Sequence, residues 1–71
     1  MHIGKMIEHE LSRQGRTKAW LARELHTVRG NVYDILRRED IDTALLRRIS
    51  LILHHNFFND LADTIESTDR R

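Results

Sequence analysis

Residues 17–36, TKAWLARELHTVRGNVYDIL, read as two short amphipathic helices separated by a break at His26-Thr27-Val28. The first half carries its apolar residues at Trp20, Leu21, Ala22 and Leu25, and Ala22 is small where a second helix has to cross closely. Thr27 is placed to N-cap the second helix, because its hydroxyl can accept from an orphan backbone N–H. That helix is expected to bury Val28, Val32, Ile35 and Leu36, which follow the i, i+4, i+7, i+8 spacing of one helical face. Its opposite face opens on Arg29-Gly30-Asn31 and continues through Asp34, Arg37 and Arg38. Arginine can grip the O6 and N7 of guanine bidentately, and asparagine can do the same with the N6 and N7 of adenine. An exposed helix that begins with such groups fits the second helix of a helix-turn-helix.

Leu21-Ala22 in the first helix, Leu25 before the turn, and Val32 and Ile35 in the second are apolar types at set spacing. On these positions the chain resembles the phage Cro/repressor-type (XRE-like) helix-turn-helix family, and the resemblance extends over most of its length. It implies an all-α fold, a compact bundle of five short helices of the lambda repressor type. It also implies double-stranded DNA as partner, and a bacterial or phage cytoplasm, at the nucleoid, as location. The family often has glycine in the turn, where the backbone goes left-handed. His26 stands there in this chain, and histidine enters that region more readily than most residues.

Seventy-one residues allow one small domain, and so short a chain buries only around 60% of the surface it exposes when unfolded. Pairing with a second copy would therefore help. Cysteine is absent, which leaves no disulfide framework and no thiolate zinc site and fits a reducing cytoplasm. No apolar run approaches the roughly 20 residues that span a bilayer, and the start of the chain has no signal-peptide pattern. The net charge of +1 conceals an uneven distribution. Over 12–38, seven bases (Arg13, Arg16, Lys18, Arg23, Arg29, Arg37, Arg38) face two acids (Glu24, Asp34), a balance of +5. From 49 onward, Arg70 and Arg71 face Asp60, Asp63, Glu66 and Asp69, a balance of −2. An anion-binding front with a solvated back would show this asymmetry, and so would a set of merely solvated helix faces.

Ahead of the motif, residues 3–14 predict a helix with Ile3, Met6, Ile7 and Leu11 inward and Lys5, Glu8, Glu10 and Arg13 elsewhere, ended by Gly15. Thr17 then caps the next helix and Lys18 stands in its first turn. In the resembling family this helix start abuts the DNA backbone, where N–H groups, the helix dipole and a lysine attract phosphate. Arg16 is a further phosphate candidate, as are Arg37 and Arg38 at the far end of the second motif helix. Tyr33 either donates its hydroxyl to a phosphate or packs its ring at the domain edge. Asp34 either accepts from a cytosine amino group or pairs with Arg38 one turn on. Gly30 lets backbone approach the groove, and because it weakens a helix by up to about 1 kcal/mol relative to alanine it implies a packing or contact reason.

Beyond the motif, Glu39-Asp40-Ile41-Asp42 is acidic, so this loop is expected to point away from DNA, with Asp42 or Thr43 capping a fourth helix. Residues 43–55 form its most apolar helix, with Leu45, Leu46, Ile49, Ile52 and Leu53 inward and Leu51 left for a second surface. His54-His55 has no third ligand at metal-binding spacing, so no metal is expected. A last helix opens on Phe57-Phe58 with 58, 61, 62 and 65 as its inner stripe. One phenylalanine is expected to seal the domain; Phe57, with Leu51, is assigned to a dimer contact. The domain spans 1–66, and 67–71 is read as a polar frayed tail.

No Gly-rich phosphate loop, carboxylate pair or hydrolase-type nucleophile occurs, so the chain reads as a binding protein without cofactor or small-molecule substrate and not as an enzyme. Arg29, Gly30, Asn31 and Asp34 are the candidate base contacts. Arg16, Lys18, Tyr33, Arg37 and Arg38 are the candidate phosphate contacts. A homodimeric transcriptional regulator, most simply a repressor, is the first reading. A protein-interaction module on the same fold, antitoxin-like or an anti-repressor partner, is the alternative.

Overall fold

The computed structural model describes the backbone of residues 1–69 and the side chains of residues 1–66. Among the described residues five helices follow in order: α1 (Ile3–Gln14), α2 (Lys18–Glu24), α3 (Arg29–Arg37), α4 (Thr43–Leu53) and α5 (Phe57–Asp69). No strand occurs among the described residues, and the architecture is the all-α bundle expected. Among the described residues no helix is long and apolar enough to cross a membrane. The polar tail expected from residue 67 begins inside α5, whose backbone continues to Asp69; residues 70 and 71 lie outside those described.

One core joins the helices. Ile3, Ile7 and Leu11 of α1 meet Leu21, Ala22 and Leu25, then Val32, Ile35 and Leu36 of α3. Leu46, Ile49 and Leu53 of α4 and Phe57 close it from the other side. Each fully buried aliphatic or aromatic side chain stabilises the fold by about 1.5–3 kcal/mol. Ala22 is buried, as its small size requires where α2 and α3 cross.

Caps are local and mostly follow the sequence. Thr17 Oγ1 accepts from Trp20 N–H at 3.0 Å, and Asp42 Oδ1 accepts from Leu45 N–H at 2.7 Å. His2 caps α1 through its ring, with Nδ1 accepting from Lys5 N–H at 3.1 Å. Three helices end in the same way. Gly15, His26 and His54 are left-handed, with φ of 70°, 57° and 52°. After each, the next residue's N–H reaches back to a carbonyl five positions earlier: Arg16 to Leu11, Thr27 to Ala22, and His55 to Ser50. This is the Schellman closure that satisfies orphan carbonyls. Histidine thus occupies the left-handed position at two of the three, and α4 stops at Leu53 because His54 turns out of the helix, two residues before the expected end.

Several expectations are corrected. Val28, not Thr27, is the N-cap of α3, and it is 71% exposed rather than buried. α3 starts at Arg29, one residue later than expected, and Val28 stands before it in extended backbone, outside the α3 stripe. Glu10 is buried at 4% exposure, although it was placed off the inner face of α1. It lies seven residues after Ile3, on the same stripe. In α5 the register is one residue earlier than expected. Phe57 is 1% exposed and part of the core, so it is unavailable as a dimer contact, and Leu61 packs against the core at half depth. Phe58, Ala62 and Ile65, assigned to the inner stripe, are exposed.

Gly4 sets how α1 docks on the end of α3. Ile3 N–H donates to Glu39 O at 3.0 Å and Gly4 N–H donates to Arg38 O at 2.9 Å. The acidic loop therefore anchors the start of α1 through its main chain, while Glu39 and Asp40 are exposed. A Cβ on Gly4 would stand 2.2 Å from Leu36 O.

Candidate nucleic-acid interface

Among the described residues nothing covers the outer face of α3. Arg29, Gly30, Asn31, Asp34 and Arg37 are exposed along it, as is Arg38 at its C-cap. The reason is the amphipathic spacing of Val32, Ile35 and Leu36, which commits the opposite side of the helix to α1 and α2. Gly30 has nothing within 4 Å of the place a Cβ would occupy, so no packing inside the chain requires glycine there. Asn31 Nδ2 donates to Thr27 Oγ1 at 3.1 Å, which ties the amide to the turn. Asp34 pairs with Arg37 at i+3, not with Arg38 as expected. The guanidinium of Arg37 is thereby held over α3, while Arg38 sits where the chain has already left the helix in extended conformation.

Beside this face lies a cleft of about 390 Å³. It gathers Arg16, Lys18, Arg29 and Tyr33, four of the predicted contacts, with Thr17 and Glu8 also on its wall. Arg16 lies over the Trp20 ring, its Cζ 4.5 Å from the centroid, and Lys18 Nζ stands 5.5 Å from the centroid of Tyr33. Aromatic faces attract cations in this range, so each ring helps to place the base beside it. Tyr33 is exposed and lines the cleft, with its ring beside Lys18. Glu8 is the residue sequence reasoning missed: its Oε2 lies 3.2 Å from Lys18 Nζ. Only the crossing of α1 over the start of α2 brings the two together, and nothing local in the sequence signals it.

A second polar cluster lies away from this face and braces the fold. Buried Glu10 accepts from Arg13 Nε at 3.0 Å and from Gln14 Nε2 at 2.7 Å. Gln14 also donates to Leu53 O at 2.8 Å, which carries the cluster from α1 to the end of α4. The Arg13 guanidinium holds the Glu10 carboxyl down from an ordinary 4.5 to about 2; burial opposes this, and Gln14 and His55 assist. His55 bridges outward to Asp60, Nε2 to Oδ2 at 2.7 Å, at the start of α5. Arg13 and Gln14 are therefore engaged within the fold and are not part of the cleft. Among the described residues no group of three or more His, Cys, Asp or Glu is arranged to hold a metal ion.

Arg48, which carried no assignment from the sequence, donates from Nη2 to Leu25 O at 3.3 Å. It fastens α4 to the turn between α2 and α3. Leu51 is exposed as expected, at 61%, beside a groove shared with Arg47, His54 and Phe58.

No protein-family model, curated protein or solved structure matches this chain.

Proposed function

We propose that this chain is a sequence-specific double-stranded DNA-binding protein of the phage Cro/repressor type, a cytoplasmic transcriptional regulator that acts most simply as a repressor. In this reading α2 and α3 form the helix-turn-helix, and α3 enters the major groove. The observation that carries it is the exposed face of α3, on which Arg29, Gly30 and Asn31 stand together at the helix start with no described residue covering them. An exposed glycine with empty space around it costs helix stability and serves nothing inside the fold. Close approach to another molecule supplies the missing reason.

The roles divide by chemistry. Arg29 and Asn31 read base edges. Arg16, Lys18 and Arg38 meet phosphates, which fix position and carry the salt dependence without sequence information. Arg37, engaged by Asp34, contributes charge to the same edge of the groove. The protein binds rather than catalyses. One recognition helix reads few base pairs, so a homodimer is proposed, with half-sites about 34 Å apart on one face of the duplex. Leu51, Phe58 and Ile65, all exposed and apolar, supply the surface for that pairing.

Selection of bound duplexes from a random pool tests the proposal, and a two-fold symmetric consensus is the expected product. Arg29→Ala should weaken the selected site by roughly 1–3 kcal/mol and relax one position. Lys18→Ala should weaken all duplexes alike and lower the salt slope by up to about one charge. Equal losses on selected and random duplexes for both variants would refute the division of roles. The exposed Leu51 groove and the acidic 39–42 loop favour a second reading, a protein-interaction module. Failure to retain the chain on heparin or random duplex at low salt would select it.

A further inference from the structure

The bond between Asn31 and Thr27 is separate from the capping of α3. Thr27 is not the cap of α3, since Val28 occupies that position without a side-chain bond. Thr27 is instead fixed by its main chain, through its N–H to Ala22 O at 2.9 Å, a closure made possible by the left-handed His26. Its backbone is thus placed by the turn after α2, and its hydroxyl meets α3 from outside that helix. From there it accepts one N–H of the Asn31 amide at 3.1 Å, while Asn31 itself is exposed.

Building on the DNA-reading function proposed above, we infer that Thr27 is a positioning residue that holds the Asn31 amide ready for an adenine edge. The hydrogen-bond count fits. A carboxamide has two N–H donors and an oxygen acceptor. With one N–H given to Thr27, one donor and the whole oxygen remain, and these match adenine N7 and N6–H₂ in the major groove. An exposed asparagine at the start of a helix would otherwise sample several rotamers and lose that freedom on binding. Anchoring it to the turn removes the loss beforehand. The neighbouring Gly30 puts no side chain beside this amide, and the space where its Cβ would stand is open. The half-site therefore contains an A·T pair, read by Asn31, whose discrimination depends on a hydroxyl that touches no base.

The test uses duplexes selected by the full chain from a random pool. In each, the adenine assigned to Asn31 is replaced by guanine or by 7-deazaadenine, which lacks the N7 acceptor. Thr27→Val, of nearly the same shape, should weaken the selected site about three- to tenfold, the penalty of ordering one side chain on binding. It should also shrink the penalty for 7-deazaadenine, leave random-duplex affinity unchanged and keep the melting temperature. Thr27→Ser, which retains the hydroxyl, should restore discrimination. Unchanged adenine preference in Thr27→Val overturns the inference while leaving the DNA-reading function intact. Equal weakening on selected and random duplexes with a lowered melting temperature also overturns it, because that is a purely structural role. If the unaltered chain enriches no duplex at all, the underlying function falls, and this inference with it.

Discussion

Replacing Gly4 with alanine should destabilise the domain, although alanine is the better helix former. The added Cβ would lie 2.2 Å from Leu36 O, 2.5 Å from Leu36 C and 2.8 Å from Arg38 O. All of these are backbone atoms at the end of α3, so no side chain can swing aside. Ordinary contact begins near 3.4 Å, and α1 must therefore withdraw by about 1 Å. Withdrawal stretches the bonds from Ile3 N–H to Glu39 O and from Gly4 N–H to Arg38 O beyond useful length. Two such bonds contribute roughly 1–3 kcal/mol together, and overpacking a tight contact costs typically about 1–3 kcal/mol. Against this, alanine returns up to about 1 kcal/mol of helix propensity. The net expectation is a loss of about 2–4 kcal/mol in a domain whose whole stability is about 4–10 kcal/mol. For a chain of this size that lowers the melting temperature by roughly 10–25 °C. Circular dichroism melts and urea titrations at neutral pH read it directly. Gly30→Ala is the internal control: with nothing within 4 Å, it should raise stability by up to about 1 kcal/mol. Gly4→Ala melting at or above the parent temperature would mean that α1 does not dock on α3 as described.

Other consequences can be checked with the same variants and instruments. His54→Gly relieves a left-handed φ of 52° on a residue with a Cβ and should stabilise by roughly 0.5–1 kcal/mol, visible as a melt shifted upward by several degrees. Phe57→Ala should cost about 3–5 kcal/mol as a core deletion, while Leu51→Ala should leave monomer stability within about 0.5 kcal/mol; a large loss for the second would move Leu51 into the core. The Glu10 carboxyl is held at about 2 in the fold against an ordinary 4.5, so its contribution is complete above the higher value. It should fade as pH falls through this window. Glu10→Gln should flatten that acid limb in urea midpoints measured across the window, and an unchanged slope would remove Glu10 from the acid response. Gly30→Ala should also weaken binding to selected duplex while stabilising the fold, and a variant that binds as well as the parent would remove the contact reason for this glycine.

Much of the architecture was legible along the chain because it is local. Helix periodicity located most of the core positions of α1, α3 and α4, Glu10 and Val28 excepted, and Thr17, Asp42 and Gly15 marked boundaries through bonds made within a few residues. His26 at the expected left-handed position is of the same kind, since backbone closure to Ala22 needs only neighbours. The failures are also physical. Phe57 and Phe58 are equally apolar, and a register that differs by one residue exchanges which of them is buried. Asp34 had a basic residue at both i+3 and i+4, but α3 ends at Arg37 and the backbone is extended at Arg38, so the pair forms with Arg37.

Spacing and residue type in the chain alone were enough to specify helices, most caps and a basic, outward-facing segment from Arg29 to Arg38, because these depend on interactions within one or two helical turns. Folding in three dimensions assigned the rest: Glu8 against Lys18, Arg48 on the Leu25 carbonyl, Glu10 buried beneath Arg13, and the contrast between Gly4 and Gly30. Most of these join residues distant in the chain, or turn on what a neighbouring helix leaves room for. No periodicity encodes which side chain a crossing helix brings within reach.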